Sequence, residues 1–377
     1  MNLAKKMLTF TLAATLALGV FGNFKMVAAQ TNTNPLPILT VEEAARRAIR
    51  YNSGIANAED DESVADEVVR RSLEAVWDAP TSIARTNALV GLMNAELSRS
   101  LNLRDIRAQK ENVEFQITRY FNTILNMEAD LSLSLDNLEM ARRDLLISRL
   151  KLSLGMVSEL DYETSELAVT RIETNIERLE SSIDSAFRDL NSFMGTTGIN
   201  LDQRHELILV LEYNPLETVN LSGHAERFVS ESLMVQRAQN AADLATYHVD
   251  NFVTPHDLRT GIIPQGFTTY EERVVDQNRA LRNLADTRQR VRESVITSYS
   301  NLRDIELSIR AAEIELERLT RQLSVSETML ELGRITPIEV DRLRLEILST
   351  ENNLMQTMNN HTILSIAFNS PLILMGQ

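Results

Sequence analysis

The side chains in this chain that could ligate a metal or move a proton are five histidines, His205, His224, His248, His256 and His361, and two acid-rich stretches, Glu59-Asp60-Asp61-Glu62 and Glu313 to Glu317. A metal needs ligands on a shared face, as two His four apart on a helix provide, and these histidines are scattered without such spacing. No His-Glu-x-x-His, Gly-x-Ser-x-Gly, phosphate-binding glycine loop or dinucleotide fingerprint occurs. The acidic stretches fit solvated helix faces rather than catalytic carboxylates or calcium loops. Cysteine is absent, which excludes disulfides, thiolate metal sites, thiol nucleophiles and lipoprotein attachment. No enzyme chemistry and no cofactor are expected. Two acids stand apart from the rest: Asp161 and Glu339 close the same short glycine motif, which occurs twice.

Positioning that motif falls to long helices. The 377 residues hold only 12 Gly, 8 Pro and 5% aromatics, too few for the strands and turns of a sandwich or barrel or for a Gly-rich nucleotide-binding fold. Acidic residues outnumber basic ones, 53 to 38, and the net charge of −15 argues against a nucleic-acid partner. At the N-terminus, Lys5 and Lys6 precede an apolar run from about Met7 to Phe21, and Val27-Ala28-Ala29 offers small residues for cleavage, so residues 1–29 read as a secretory signal. The alternative, an uncleaved anchor, meets a run shorter than the ~20 apolar residues a bilayer requires. Cleavage there would remove Lys5, Lys6 and Lys25, leaving 35 basic against 53 acidic residues and a net charge of −18. No later run is long and apolar enough to span as a helix.

Laid on itself at an offset of 178 residues, the chain repeats: Leu-Gly-Met-Val-Ser-Glu-Leu-Asp at 154–161 falls on Leu-Gly-Arg-Ile-Thr-Pro-Ile-Glu at 332–339. Upstream, a seam with alternating steps of four and three runs Val113, Ile117, Tyr120, Ile124, Met127, Leu131, Ser134, Leu138, Ala141, Leu145, Ser148, Leu152. Its image is Val291, Val295, Ser298, Leu302, Ile305, Ile309, Ala312, Leu316, Leu319, Leu323, Ser326, Leu330, and ten of twelve positions are apolar in each copy. A heptad sustained this long predicts coiled-coil packing. Downstream of the first motif, Val169, Ile172, Ile176, Leu179, Ile183, Ala186, Leu190 and Phe193 form the returning arm. The second return is weaker: Ile347, Leu354, Leu364 and Phe368 keep register while Thr350, Thr357 and His361 do not. His361 there reads as a register device or a satisfied core group rather than a ligand. The incoming arm from about 105 to 154 should measure on the order of 75 Å.

The turn itself is legible. Gly155 can take the left-handed conformation that ends the incoming helix, and Ser158 with Asp161 forms a box-like cap on the outgoing one. The second copy offers Gly333, Thr336 as cap, Pro337 at the first helical position and Glu339 at the third. Each copy also opens with a first helix, from Thr40-Val41-Glu42-Glu43-Ala44 and from about His224. First and second helices are joined by only Trp77-Asp78-Ala79-Pro80-Thr81 in copy one and by a loop from Asn251 to Tyr270 in copy two. Trp77, beside the turn, reads as a packing residue. A linker from Gly195 to Leu221 contains one strand-like run, Leu207 to Leu211. The expected architecture is all-α, with two tandem repeats of long coiled-coil hairpins, residues 30–200 and 201–377, and little or no β structure.

Two copies of long helix, Leu-Gly-x-[Val/Ile]-[Ser/Thr]-x-[Leu/Ile]-[Asp/Glu] and long helix behind a signal sequence resemble the TolC-type outer-membrane efflux family. Leu39-Thr40-Val41-Glu42-Glu43-Ala44 is similar to the opening of that family's first helix, and Phe121-Asn122-Thr123-Ile124-Leu125 and Tyr299-Ser300-Asn301-Leu302 match an aromatic step in its second. The resemblance implies a homotrimer whose six hairpins close into an α-helical tunnel, docked through its tips on a periplasmic adaptor (membrane fusion) protein that couples to an inner-membrane pump or ABC exporter. By position, the docking tips are Gly155, Met156, Val157 and Ser158, and Gly333, Arg334, Ile335 and Thr336. Asp161, with Glu339 as its repeat partner, falls where the family holds its tunnel entrance closed, and a carboxylate ring there could select cations and answer to pH or divalent ions. Arg342 stands where the family often has a further acid, so a continuous acid constriction is not expected. A purely capping role for Asp161 and Glu339 stays open at this point, as does a non-transporting envelope coiled coil. The family also inserts two membrane strands per repeat between first and second helix; Asp78 to Thr81 has no room for them, and the Pro and Gly spacing of the copy-two loop does not make them. A helical tunnel module without its outer-membrane pore is therefore expected in the cell envelope.

Overall fold

Alternating three- and four-residue spacing of apolar side chains becomes continuous helix on both sides of each glycine motif. The computed structural model describes residues 36–216, 220–252 and 268–374. A short strand β1 (Ile38–Thr40) leads into α1 (Val41–Tyr51), α2 (Ser53–Trp77), α3 (Ser82–Ser153) and α4 (Glu159–Phe193). A 3-10 turn (Gly198–Asp202) and strand β2 (Glu206–Ile208) follow, then α5 (Leu221–Glu231), α6 (Leu233–Asp250), α7 (Tyr270–Glu331), α8 (Pro337–Asn369) and α9 (Pro371–Leu374). With 72 residues in α3 and 62 in α7, these helices far exceed the usual three to four turns. Among the described residues no helix is long and apolar enough to cross a membrane.

The seam accounts for the burial. All twelve seam positions of α3 and all twelve of α7 are buried or half-buried, with Ile117, Ile124 and Val295 fully so. The α4 arm behaves likewise, through Val169, Ile176, Ile183 and Leu190. The weaker α8 arm keeps its expected register at Phe368, buried, and at Ile347 and Leu354, half-buried, but Leu364 is exposed while Ile363 and Ala367, off the register, are buried. The polar positions that interrupt this seam are themselves withdrawn from solvent, Thr350 and Thr357 half-buried and His361 fully buried.

Contacts divide the chain into two units, each drawing on both halves of the sequence. One gathers residues 36–48, 116–215 and 303–364; the other gathers 49–115, the described residues of 216–302, and 365–374. In the first, β1 and β2 pair in parallel with Leu39 opposite Leu207, both buried, which realises the strand-like run at its N-terminal end. Asn191, near the end of α4, donates from Nδ2 to the carbonyls of Leu201 and Gln203 at 2.9 and 2.8 Å and meets His205 Nε2 through Oδ1 at 3.0 Å. This fastens the linker to the end of the hairpin. In the second unit, α5, α6 and α7 enclose Phe228, Ala242, Val291, Val295, Leu302 and Phe368.

Three expectations need correction. The single first helix of each copy is broken, at Asn52 and at Ser232. Asn52 adopts extended backbone and its Oδ1 accepts from Ile55 N at 3.0 Å, so it caps a new helix. Ser232 is extended as well (φ −65°, ψ 125°), and α5 starts at Leu221, capped by Asn220, rather than at His224. Trp77 is not a packing residue: it is 74% exposed at the end of α2. The four-residue joint from Asp78 to Thr81 contains no strand, as expected. Most of the copy-two loop, residues 253–267, and the signal segment lie outside the described residues.

Candidate functional site

Both tips are built the same way from the backbone up. Gly155 (φ 70°) and Gly333 (φ 66°) take the left-handed conformation that costs an L-residue about 1–2 kcal/mol. Each completes a Schellman closure: Gly155 N donates to Leu152 O and Met156 N to Lys151 O, both at 2.9 Å, and Gly333 N donates to Leu330 O and Arg334 N to Met329 O, again at 2.9 Å. The outgoing helices are then capped. Ser158 Oγ accepts from Asp161 N at 3.2 Å while Asp161 Oδ2 accepts from Ser158 N at 3.1 Å, a reciprocal capping box. In the second tip Glu339 Oε2 accepts from Thr336 N at 2.7 Å and from its hydroxyl at 2.8 Å, with Pro337 at the first helical position.

These bonds set the chemistry of the two acids. Hydrogen bonds from the Ser158 side chain and backbone hold the Asp161 carboxyl below its ordinary range. The Thr336 backbone and hydroxyl do the same for Glu339. Both are exposed carboxylates engaged in their own caps. Around them the tips present apolar side chains to solvent: Leu154, Met156, Leu160 and Leu332 are each at least 64% exposed. Arg342 is turned to another task, an ion pair with Asp144 of α3 at 2.7 Å.

The tips ride on a row of four helices. Arg142 pairs with Glu173 at 2.7 Å and Ser165 with Ser148 at 3.3 Å, joining α4 to α3. The α3 and α8 helices are joined by reciprocal pairs, Arg143 with Asp341 at 3.1 Å and Asp144 with Arg342 at 2.7 Å, and further along by Asn352 and Gln356 donating to Asp130 and Asn122 donating to Asn360. Finally α8 joins α7 through Arg344 with Glu327 at 2.8 Å. Residue numbers run in opposite senses across every pair, so the order α4, α3, α8, α7 is antiparallel throughout and places Gly155 and Gly333 at one end. Sequence reasoning missed the polar α3–α8 joint. The residues that make it, Asp341, Arg342, Asn352, Gln356 and Asn360, lie off the seam positions that the spacing singled out.

One more polar group is buried in this row. His361 is fully buried, its Nε2 3.5 Å from Glu306 Oε1, and Glu306 Oε2 accepts from Arg303 at 2.6 Å. The ring of Tyr213 stands edge-on to His361, with centroids 5.0 Å apart. Burial pushes the His361 pKa down, against the pull of the Glu306 carboxylate. A histidine whose folded value is depressed stabilises the fold above the unfolded pKa of about 6.5, and that contribution is lost as pH falls through the folded value. His205, in the same unit, is lowered as well, first by burial. Urea midpoints should therefore fall as pH drops below about 6.5, and His361→Asn should flatten part of that slope, leaving the shares of His205 and of His248, which burial also lowers. An unchanged slope in the variant would exclude His361 as a source. Among the described residues no group of three or more His, Asp or Glu is placed to hold a metal ion.

No protein-family model matches the sequence, and no curated protein aligns with it significantly. Solved structures do match. The outer-membrane protein VceC of Vibrio cholerae superposes with a TM-score of 0.61 at 10% identity, over 87% of this chain and 95% of its own. The Campylobacter jejuni CmeC outer-membrane channel gives 0.56 at 12% identity, over 91% and 90%. The chain has the TolC-type fold. The outer-membrane channel OprN matches it too, with a TM-score of 0.63 at 10% identity over 88% of this chain and 89% of its own. These TolC-type structures are channels and outer-membrane proteins rather than enzymes, and the α-helical hairpins expected from the sequence are those of the TolC-type fold. At such identities the likeness is one of architecture.

Proposed function

We propose that this protein is an exported component of an efflux or secretion duct in the cell envelope. In this reading residues 1–29 are a cleaved signal, and residues 30–200 and 201–377 are two structural repeats. Three chains close into an α-helical tunnel, and the tips at Gly155 to Ser158 and Gly333 to Thr336 dock on an adaptor serving an inner-membrane pump or ABC exporter. Support for the repeat comes from helix breaks 180 residues apart, at Asn52 and Ser232, and from tips 178 apart. Asp161 and Glu339 would ring the tunnel entrance, constrained there by their caps.

The observation that carries the proposal is the four-helix row, because its edge helices both leave apolar side chains uncovered at heptad spacing. On α7, Leu307 and Ile314 are 61% and 68% exposed, with Val325 further along at 54%; on α4, Leu160 and Leu167 are 70% and 49% exposed. A row with two such edges closes on copies of itself, α7 of one chain against α4 of the next. Since the chain lacks cysteine, Leu160→Cys with Val325→Cys introduces the only two thiols, placed near one level at opposite ends of the row. A short bifunctional maleimide should then give a ladder that stops at three chains. Monomer alone, or a ladder that continues past three, would refute the closed trimer. A second reading, a non-transporting structural coiled coil of the envelope, is favoured by the strandless joint at Asp78 to Thr81 and predicts a bundle without a lumen.

A further inference from the structure

In the α3–α8 joint, Arg143 spans two carboxylates, Glu139 one turn back on its own helix at 2.5 Å and Asp341 of α8 at 3.1 Å. Adding 178 to Arg143 and Glu139 gives Arg321 and Glu317, which are paired on α7 in the same i,i+4 manner. Subtracting 178 from Asp341 gives Glu163, an exposed acid in the second turn of α4. The sign of the charge is kept at all three places, but the third partner is missing. Among the described residues Arg321 pairs with Glu317 alone and Glu163 with no cation, since α7 and α4 are the two edges of the row. Exposure follows: the Arg143 and Asp341 side chains are 42% and 31% exposed, that of Arg321 is 75% exposed.

Face and height agree as well as charge. Asn122 and Arg143, both turned to α8, lie 21 residues apart, which is three heptads. Their images Ser300 and Arg321 bracket Leu307 and Ile314 in steps of seven, so the apolar side chains left bare on α7 lie on the stripe that on α3 meets α8. Arg143 stands 12 residues before Gly155 and Asp341 eight after Gly333; Arg321 stands 12 before Gly333 and Glu163 eight after Gly155. With the tips at one end, α7 of one copy laid antiparallel on α4 of the next brings Arg321 and Glu163 to one height. The remaining contacts transpose without opposing like charges. Asp144 with Arg342 becomes Gln322 beside Thr164, Asn122 with Asn360 becomes Ser300 beside Ser182, and Asp130 with Asn352 and Gln356 becomes Ser308 beside Thr174 and Arg178. Of these images only Arg321 with Glu163 keeps opposite charges.

We propose that Arg321 bridges Glu317 of its own helix and Glu163 of the next copy, and that this ion pair sets the register in which copies join. The contact rests on the closure of α7 against α4 proposed above and adds what that closure lacks. Because Leu307 and Ile314 are seven residues apart, apolar contact alone tolerates a slip of one heptad. Slipped so, Arg321 would face Met156 or Thr170. An exposed ion pair adds little affinity, but it discriminates between such registers.

The test is a charge-reversal cycle on the mature full-length protein, with Arg321→Glu, Glu163→Arg and both together. Assembly is read by sedimentation against protein concentration at low ionic strength, where exposed charges are least screened. Wild type should form trimers; each single reversal, which sets like charges face to face at every joint, should raise the half-assembly concentration about tenfold, and the double variant should return it to within about threefold of wild type. Both positions are exposed, and circular dichroism checks that the helices persist. Single reversals without effect on a wild-type trimer, or a double variant no better than the singles, would overturn the contact and leave the ring standing. Wild-type monomers at every concentration would overturn ring and contact together, and leave these edges to a different protein.

Discussion

Phe368→Ala should destabilise the unit built on α5, α6 and the first part of α7 by about 3–5 kcal/mol, the cost of emptying a closed aromatic site. Phe368 is fully buried, its ring stacked on His224 at 4.4 Å and tilted against Tyr299 at 6.1 Å, in the cluster that holds Phe228, Val295 and Leu302. The substitution removes the ring on which His224 of α5 stacks as well as leaving a cavity, while the contact of His224 Nε2 with the main-chain carbonyl of residue 368, at 2.9 Å, is kept. The loss falls on a site that neighbouring side chains cannot collapse into, since they are held in interdigitated rotamers. Urea unfolding of the variant should show an early transition that wild type lacks. A loss below about 1 kcal/mol would mean that the site relaxes and that Phe368 does not organise this core.

Substitution of either tip glycine should have the opposite profile, small in stability and large in function. A Cβ at Gly155 or Gly333 meets nothing within 4 Å, so the penalty of Gly155→Val or Gly333→Val is backbone strain alone, about 1–2 kcal/mol each. A β-branched residue resists the left-handed region most, and asparagine tolerates it, so Gly333→Asn should recover most of that loss. Because the Schellman bonds set the angle at which each tip leaves its helix, the double valine variant should fold, assemble and fail in export. Full export by the double variant would remove the tips from the docking surface and leave the duct proposal without its contact point.

The arms were legible because coiled-coil packing writes itself in spacing: every seam position from Val113 to Leu152 and from Val291 to Leu330 is withdrawn from solvent. The tips were legible because Gly, Ser or Thr and an acid three residues later each have one local task. What escaped was decided by neighbours in space. Nothing local marks Ile38 to Thr40 as a strand; it forms because Glu206 to Ile208 lies alongside it. The breaks at Asn52 and Ser232 fall within stretches of helical pattern, and at Ser232 a fully buried extended residue is held by packing rather than by a cap bond. Nothing local marks His361 for full burial, which it finds beside Glu306, a partner 55 positions away in sequence. Trp77 is exposed because a hairpin end that projects has nothing to pack on.

The central claim is a closed duct, and end-on projections of the purified mature protein in the electron microscope test it most directly. Three copies of the row α4, α3, α8, α7 predict a ring of twelve helical densities with threefold symmetry around an open centre. A filled bundle, or particles of a single row with no ring at any concentration, would contradict it.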